Sequence, residues 1–250
     1  PECGYMLDGL DCRRITYSAL KDESSYSAKN IRLRSDSVEY ELVGDGIIGR
    51  VHFGVPGRFS VYNSMAAAVC ARELGVNFSG VLENIAQCKG VKGRMEVVPT
   101  GTDYTVIIDY AHTPDGLENV LKAARELTPA TSNLICLFGC GGDRDTTKRP
   151  KMGKIADELS DKVIVTSDNP RSEDPQLIIS DIMTGIKTVD TQRIFVEPDR
   201  GEAIKFLKTV SKPEDVIVIA GKGHEDYQIL KNETIHFDDR EEAKKVFTGV

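Results

Sequence analysis

The sequence predicts an α/β fold whose larger part is a mostly parallel sheet. From about residue 103, short runs of β-branched residues alternate with segments that carry apolar residues at helical spacing. Pro114 and Pro175 each stand at a predicted first helical position, directly behind Thr113 and Asp174 as capping residues. Strand–helix alternation of this kind builds a parallel sheet with helices on both faces.

The part of the chain before residue 97 has a different pattern. Residues 15–55 contain short strand-like segments separated by polar or glycine-containing turns. The stretch "VYNSMAAAVCARELG" predicts a helix with a glycine stop, and "NFSGVLENIAQC" predicts a second helix with Ser79 as a possible N-cap. We therefore expect two domains, one over residues 1–97 and one over 98–250.

The second part is predicted to contain crossover helices between its strands, then a hairpin and a closing helix. The strands are predicted at 104–109, 134–138, 163–167, 193–196 and 216–220. The helices are predicted at 114–127, 151–160, 175–188 and 199–210. The stretch "YQIL-KNE-TIHF" predicts the hairpin, and "DDREEAKKVF" predicts the closing helix.

Composition and charge exclude several classes of protein. The net charge of −7 provides no basic field for nucleic acid or an acidic membrane. No apolar run reaches the roughly 18 residues of a membrane span, and no signal-peptide pattern opens the chain. The first residue is Pro1, so we expect a piece of a longer protein. Six cysteines without a C-x-x-C pair predict reduced, mostly buried thiols in a cytosolic protein rather than a metal site.

Charged or glycine-rich clusters follow four of the predicted strands. They are "DYAHTP", "GCGGDRD", "SDNPR" and "GKGHED", whereas "EPDRGEA" after the strand at 193–196 reads as a plain helix start. Ligands of parallel sheets bind beyond the carboxyl ends of the strands. The four clusters therefore predict a binding site at this edge.

The cluster "DNPRSEDP" suits an amino-acid head group. Arg171 offers a planar fork for a carboxylate, and Asp168 can accept an ammonium group. Asn169 adds an amide, and Pro170 stiffens the loop, which reduces the entropy lost on binding. The alternative is a surface loop in which Asp168 and Arg171 pair with each other.

Two further clusters allow both a functional and a structural interpretation. In "GCGGDRD", the glycines and Arg144 could approach an anionic ligand, or they could form a tight turn with solvated charges. In "AGKGHE", Gly221 ends a buried strand, and Glu225 could hold a second ammonium group. His224 could titrate there or make a structural hydrogen bond.

Four other residues are candidates for contacts with a nucleotide. In "IIDYAHTP", Asp109 suits a ribose hydroxyl and His112 suits a phosphate, although a capped helix start is the alternative. Arg94 in "KGRME" is either a hinge residue near a nucleotide or a solvated linker charge. Asn63 can read an adenine edge, or its amide can serve capping or core bonding.

Six stretches together resemble the Mur ligases of peptidoglycan synthesis, with the closest likeness to members that add diaminopimelate. They occur in the family's order across about residues 15–245: "GRFSVYNSMAAA", "VKGRMEVV", "IIDYAHTPDGLENVL", "GCGGDRDTTKRPKMG", "TSDNPRSEDP" and "IAGKGHEDYQI". The resemblance implies a Rossmann-like C-terminal domain, preceded by a truncated α/β ATPase domain. It also implies an ATP-dependent acid–amino-acid ligase that works through an acyl phosphate.

The resemblance also implies roles for individual residues. The nucleotide would be bound by Asn63, Arg94, Asp109 and His112, of which Arg94 and His112 would be catalytic. The amino-acid pocket would consist of Arg144, Asp168, Asn169, Pro170, Arg171, Gly221 and Glu225. Lysine-adding relatives typically lack the arginine at position 171, so the DNPR form predicts meso-diaminopimelate. A site built around a polar partner can reject an analogue that lacks it by about 10⁴-fold.

The chain departs from the family pattern in two ways. Ser60 stands where many relatives have Asn, and no G-x-x-x-x-G-K-[ST] loop occurs. The resemblance therefore places the P-loop, most ligands of the expected Mg²⁺ and the UDP-sugar domain upstream of this chain, which we expect to be inactive alone. The other substrate implied is UDP-MurNAc-dipeptide, and we expect a cytoplasmic monomer.

Two other functions stay open. One is a different Mur ligase or a folylpolyglutamate synthetase, against which the stretches DNPR and GKGHE argue. The other is a non-catalytic module that uses the same pocket to bind an amino acid or a nucleotide.

Overall fold

The structure, a computed structural model, describes residues 9, 11–21, 23–34, 36–188 and 190–248. Its first part is a four-stranded sheet in the order β1-β2-β3-β4, with two helices on one face. The strands are β1 Tyr17–Ser18, β2 Tyr26–Leu33, β3 Val38–Gly44 and β4 Ile47–Phe53. The helices are α1 Arg58–Glu73 and α2 Phe78–Gln87.

The second part is a six-stranded sheet in the order β5-β6-β10-β7-β8-β9. All its neighbouring strands pair in parallel except β5 with β6. The strands are β5 Glu96–Val98, β6 Thr105–Asp109, β7 Leu134–Phe138, β8 Lys162–Val165, β9 Ile194–Val196 and β10 Val216–Ala220. The hairpin consists of β11 Tyr227–Ile229 and β12 Thr234–His236.

Helices cover both faces of this sheet. They are α3 Pro114–Leu127, α4 Lys148–Leu159, α5 Pro175–Met183, α6 Arg200–Val210 and α7 Asp239–Thr248. One core cluster joins α3, α4 and α5 to one face, and a second cluster joins α6 and α7 to the other. The predicted α/β fold with a mostly parallel sheet is confirmed.

The predicted elements of the second part all occur, with two shifted helix ends. Helix α4 begins at Lys148 rather than at 151, because Pro150 lies in its first turn, where a missing N–H costs nothing. Helix α5 ends at Met183 rather than at 188, just before Gly185, a residue of low helix propensity. Strand β5 begins at Glu96 and crosses the predicted domain boundary.

Two smaller predictions are wrong. Among the described cysteines, Cys136 and Cys140 are buried, whereas Cys12, Cys70 and Cys88 are exposed, so the thiols are not mostly buried. Cys70 is exposed because it lies on the solvent side of α1. The sixth, Cys3, lies outside the described residues.

The N-cap of α2 is Asn77, and the prediction of Ser79 is also wrong. Asn77 Oδ1 accepts hydrogen bonds from the amides of Ser79 and Gly80 at 3.0 and 3.3 Å. We expect Asn77→Ala to lower the free energy of unfolding by about 1 kcal/mol, because two amides of the first turn lose their acceptor. Urea denaturation of the 250-residue chain measures this, with Asn84→Ala later in the same helix as the control.

Candidate functional site

The carboxyl ends of β6, β7, β8 and β10 meet at one edge of the sheet. Asp109 is the last residue of β6, and Gly221 directly follows β10. Because β10 lies between β6 and β7, the amide of Gly221 donates to the carbonyl of Asp109 at 3.1 Å. The predicted convergence of strand-end clusters therefore occurs in the folded chain.

The loops after β7 and β8 pack directly against each other. The amide of Gly142 donates to the carbonyl of Asn169 at 2.9 Å. A Cβ on residue 142 would lie 1.9 Å from the carbonyl oxygen of Pro170, so only glycine fits. Gly142 is therefore required where the two loops touch. The sequence alone had left open whether the glycines of this cluster approach a ligand or form a tight turn.

A first cavity of about 730 Å³ lies between α1, α3 and the segment before β5. It brings together three of the predicted nucleotide residues, Asn63, Arg94 and Asp109. Phe59 and Lys122 also line it and add an aromatic ring and a cation. Its size lies in the range of small-molecule sites.

Asp109 is held rigidly at the wall of the first cavity. Its two carboxylate oxygens accept hydrogen bonds from the amides of Met95 at 2.7 Å and Ala111 at 2.8 Å. Burial raises the pKa of the Asp109 carboxyl, and these two hydrogen bonds partly offset the effect. A ribose hydroxyl would have to use the remaining lone pairs of the same oxygens.

A second cavity of about 470 Å³ opens beyond β6, β7, β8 and β10. Seven predicted residues line it: His112, Arg144, Asp168, Asn169, Arg171, Gly221 and Glu225. Pro170 is buried and does not line this cavity, and it contributes through its carbonyl group behind Gly142. The cavity has acids at Asp145, Asp168 and Glu225, guanidinium groups at Arg144 and Arg171, and the ammonium of Lys148.

Asp168 has an unsatisfied carboxylate oxygen. The residue is 7% exposed, and its Oδ1 has no hydrogen-bond partner among the described residues. Burial raises the pKa of the Asp168 carboxyl, and the cations of Arg200 and Lys222 partly offset this effect. The ammonium of Lys222 lies 3.6 Å from this oxygen, an ion pair too long for a hydrogen bond, and it offsets part of the cost of burying the carboxylate.

Arg171 is held at the cavity wall by main-chain contacts. Its φ of 53° lies in the left-handed region, and its amide donates to the carbonyl of Ile229 at 3.1 Å. Its Nη1 donates to the carbonyls of Gly142 at 2.8 Å and Asn169 at 3.3 Å. Within the described part of the chain, its side-chain hydrogen bonds involve Nη1 alone, so the other N–H groups can face a ligand.

Tyr110 links the two cavities, and the sequence reading did not single it out. The guanidinium of Arg94 lies 5.0 Å from its ring centroid, and the His112 ring lies 4.6 Å from it. His112 Nδ1 lies 2.8 Å from the carbonyl oxygen of Tyr110. A carbonyl only accepts, so Nδ1 carries the proton of this hydrogen bond, and Nε2 is the nitrogen left to face a ligand.

Two buried cations beneath the site were also missed. Lys222 stands inside the motif "GKGHE", where only its neighbours had been assigned roles. Arg200 belongs to "EPDRGEA", so the interpretation as a plain helix start was incomplete. Its guanidinium donates to the carbonyls of Ser167 and Ala220 and to both oxygens of Asp239. A charged residue at the start of a helix gave no signal of this burial.

We expect Asp168→Asn to raise the stability of the folded chain at pH 8. The native pKa of Asp168 is raised, so the native state binds this proton more tightly than the unfolded chain does, and the wild type loses stability as pH rises through the native pKa. The gain from Asn should shrink as pH falls toward the pKa of the unfolded chain, about 3.9.

Urea denaturation at several pH values measures this gain. The exposed Asp145 is a control for which the opposite change in stability is expected, because hydrogen bonds from Thr147 lower the pKa of its carboxyl. Asp145→Asn should lose stability at pH 8. A destabilised Asp168→Asn at pH 8 would contradict the expectation.

Fold and site together define a class of protein. It is an α/β protein that presents charged, ligand-sized cavities at the carboxyl edge of a parallel sheet. The Mur ligase, glutamate ligase domain matches residues 93–223, and the Mur ligase middle domain matches residues 2–71. The chain belongs to the Mur ligase family, which confirms the resemblance seen in the sequence.

Similar proteins carry more specific names. The chain is 47% identical over 230 residues to UDP-N-acetylmuramoyl-L-alanyl-D-glutamate–2,6-diaminopimelate ligase 1 of Clostridium acetobutylicum, which covers 91% of this chain and 46% of the relative. It is 48% identical over 234 residues to the 2,6-diaminopimelate ligase of Thermosynechococcus vestitus, covering 93% and 46%. The chain thus spans about half the length of the curated relatives it matches.

Solved structures show the same likeness. A structure of UDP-N-acetylmuramoyl-L-alanyl-D-glutamate–2,6-diaminopimelate ligase superposes with a TM-score of 0.73 at 35% identity, covering 94% of this chain and 47% of that one. Folylpolyglutamate synthase from Thermotoga maritima superposes with a TM-score of 0.60 at 20% identity, covering 79% and 44%. At that identity the second likeness shows the fold alone.

Proposed function

We propose that this chain is part of the ATP-dependent ligase that adds meso-diaminopimelate to UDP-N-acetylmuramoyl-L-Ala-D-Glu in peptidoglycan synthesis. In this proposal the first cavity binds ATP and the second binds meso-diaminopimelate. The two sheets belong to two domains that meet near residue 97, and the protein works as a monomer in the cytoplasm. None of the helices in the described ranges is long and apolar enough to cross a membrane.

The observation that carries the proposal is the charge layout of the second cavity. Asp168 and Glu225 line it together with Arg144 and Arg171, and Asp145 and Lys148 add one charge of each sign. A carboxylate suits an ammonium group, and a guanidinium fork suits a carboxylate. An amino acid with two head groups uses both kinds of partner, whereas lysine lacks the second carboxylate.

The residues of the first cavity fit a nucleotide. Asn63 offers an amide for a base edge, Asp109 offers carboxylate oxygens, and Arg94 and Lys122 are cations near a bound anion. No group of three or more His, Cys, Asp or Glu side chains capable of holding a metal ion occurs in the part of the chain that the structure describes. We therefore assign no ligand of the Mg²⁺ that accompanies ATP to these residues.

The proposed reaction divides between the two cavities. ATP would supply the phosphoryl group that converts the carboxylate of the UDP-linked dipeptide into an acyl phosphate, with ADP as the other product. Attack by the amine of diaminopimelate would then form the amide bond and release inorganic phosphate and a proton. Asp168 and Glu225 hold an ammonium group of the incoming amino acid, while Arg144 and Arg171 hold its carboxylates. His112 presents Nε2 as a proton acceptor at the side of the cavity that Tyr110 connects to Arg94.

Titration calorimetry on the 250-residue chain tests the amino-acid specificity. We expect meso-diaminopimelate to bind and L-lysine and L-glutamate to bind at least about 100-fold more weakly, because each leaves charged cavity groups unpaired. Preference for L-glutamate would favour folylpolyglutamate synthesis, and preference for L-lysine would favour another Mur ligase. Absence of all binding would reject the proposal.

Ligation assays test whether the chain needs further residues for catalysis. We expect no ATP-dependent product from the purified chain, because its sequence contains no G-x-x-x-x-G-K-[ST] loop to bind the phosphates of ATP. The full-length ligase carrying the same residues is the positive control. Product from the chain alone would contradict this expectation, and binding without ligation in the full-length protein would favour a non-catalytic module.

A further inference from the structure

Lys222 lies fully buried directly behind the acid end of the second cavity, the part lined by Asp168 and Glu225. Its Nζ lies 3.1 Å from Asn169 Oδ1, 3.4 Å from Glu225 Oε2 and 3.6 Å from Asp168 Oδ1. Its side chain is 0% exposed and does not belong to the cavity lining. A buried ammonium is stable only when it is paired, so this cluster of acceptors has to accommodate a resident cation.

The ammonium group determines how the neighbouring polar groups are oriented. Asn169 Oδ1 accepts from Lys222 and from the amide of Ile229 at 3.0 Å, while its Nδ2 donates to Glu225 Oε2 at 2.9 Å. Turning the amide over would place its NH₂ group against two donors and its oxygen against a carboxylate. Lys222 therefore helps to hold Glu225 through Asn169 as well as directly.

The same ammonium group changes the charge that a ligand meets. Asp168 and Glu225 carry two negative charges when ionised, and both have an oxygen within 3.6 Å of the single Nζ. Because both oxygens lie beside the same Nζ, the ammonium offsets the repulsion between the two carboxylates and favours their ionised forms. With Lys222 in place, the acid end presents one net negative charge, which matches one ammonium group.

We propose that Lys222 is a positioning residue of the second cavity, whose buried ammonium orients Asn169 and Glu225 and cancels one of the two carboxylate charges. The inference rests on the proposed function, because it concerns how the cavity receives the ammonium group of diaminopimelate. Lys222 acts through the groups that touch the ligand and does not touch the ligand itself.

The other charged and titratable groups around the cluster do not supply this charge. Arg200 of α6 is engaged by both oxygens of Asp239 of α7. Tyr227 of β11 lies with its ring 5.6 Å from Nζ, and the charge of Glu225 raises its pKa, so it stays neutral near pH 7. Arg171 makes its side-chain hydrogen bonds to the main-chain carbonyls of Gly142 and Asn169.

Calorimetry with meso-diaminopimelate in two buffers of different ionisation enthalpy tests the inference on the 250-residue chain. We expect loss of the cation in Lys222→Met to leave the two carboxylates sharing a proton, which the ligand ammonium then displaces. We expect this variant to release about one proton more per binding event than the wild type. The ratio of its affinity to the wild-type affinity should therefore rise by up to about tenfold for each unit increase in pH. Lys162→Met, in β8 at the opposite edge of the sheet, is the matched control and should behave as the wild type.

A double variant separates charge balance from a purely structural role. Lys222→Met combined with Glu225→Gln again leaves one net negative charge, at Asp168. We expect it to return to the proton release of the wild type, and to bind diaminopimelate at least as tightly as Glu225→Gln alone. This comparison also stands if the single Lys222 variant does not fold.

The possible outcomes distinguish the role of Lys222 from the proposed function of the chain. Equal proton release and equal affinity in the wild type and Lys222→Met would overturn the role of Lys222 while leaving the proposed function intact. Weaker binding of the double variant than of Glu225→Gln would reduce Lys222 to a structural role. A wild-type chain that binds no diaminopimelate would reject the proposed function and this inference with it.

Discussion

Replacing Arg171 with alanine is expected to raise the Kd for meso-diaminopimelate by at least about 30-fold. Loss of one partner of a charge-assisted pair at a binding site costs about 2–5 kcal/mol, and 2 kcal/mol corresponds to about 30-fold in affinity. The affinity for L-lysine should change only a few-fold, because lysine lacks the carboxylate that the guanidinium is proposed to bind. The variant should therefore lose its preference between the two amino acids.

Calorimetry on the chain and KM values in the full-length ligase both measure this effect. Arginine and alanine both carry a Cβ, so the left-handed backbone at position 171 is equally strained in the two proteins. Arg125→Ala is the control, because Arg125 pairs with Asp161 near the start of β8, away from the cavities. An unchanged Kd and KM for diaminopimelate in Arg171→Ala would refute the specificity assignment.

Replacing Arg200 with methionine is expected to lower the free energy of unfolding by about 3–5 kcal/mol. Arg200 and Asp239 are both fully buried, with Nη2 and Oδ2 2.8 Å apart, and removing one partner leaves an uncompensated buried charge. The carbonyls of Ser167, two residues beyond β8, and of Ala220, the last residue of β10, also lose a donor. The loop that carries Asp168 should therefore loosen.

Urea denaturation of three variants tests this expectation. Arg200→Met combined with Asp239→Leu removes both charges, and it should recover most of the loss. Lys205→Met, on the same helix, breaks an exposed ion pair with Glu202 and should cause no measurable change. If Arg200→Met is as stable as Lys205→Met, the buried pair does not hold the site together.

Much of the second sheet could be predicted from the sequence. Runs such as "VIVIA" and "LICLF" are buried along their whole length, as parallel strands covered on both faces should be. The caps Thr113 and Asp174 accept the hydrogen bonds expected of them, because capping depends on residues close in sequence. Ser79 failed as a cap because Asn77, two residues earlier, supplies the side-chain oxygen that the first turn needs.

The site was predictable as a set of strand-end residues but not as two cavities. Patterns of periodicity identify where a strand ends, and parallel strands bring their ends to one edge. They do not specify that β10 inserts between β6 and β7, which places Gly221 beside Asp109. That order of strands is a non-local property, as is the approach of α1 and α3 that brings Asn63, Arg94 and Asp109 into the first cavity.

The sequence by itself determined the parallel α/β architecture, the family and the presence of Asp168, Asn169 and Arg171 at one strand end. The tertiary structure decided which oxygens and N–H groups of these residues remain for a ligand. It also decided that Lys222 and Arg200, which look like ordinary charged residues in the sequence, are buried behind the cavity. The reason is physical: periodicity and local capping are encoded in neighbouring residues, whereas burial of a charge depends on partners that folding brings from distant parts of the chain.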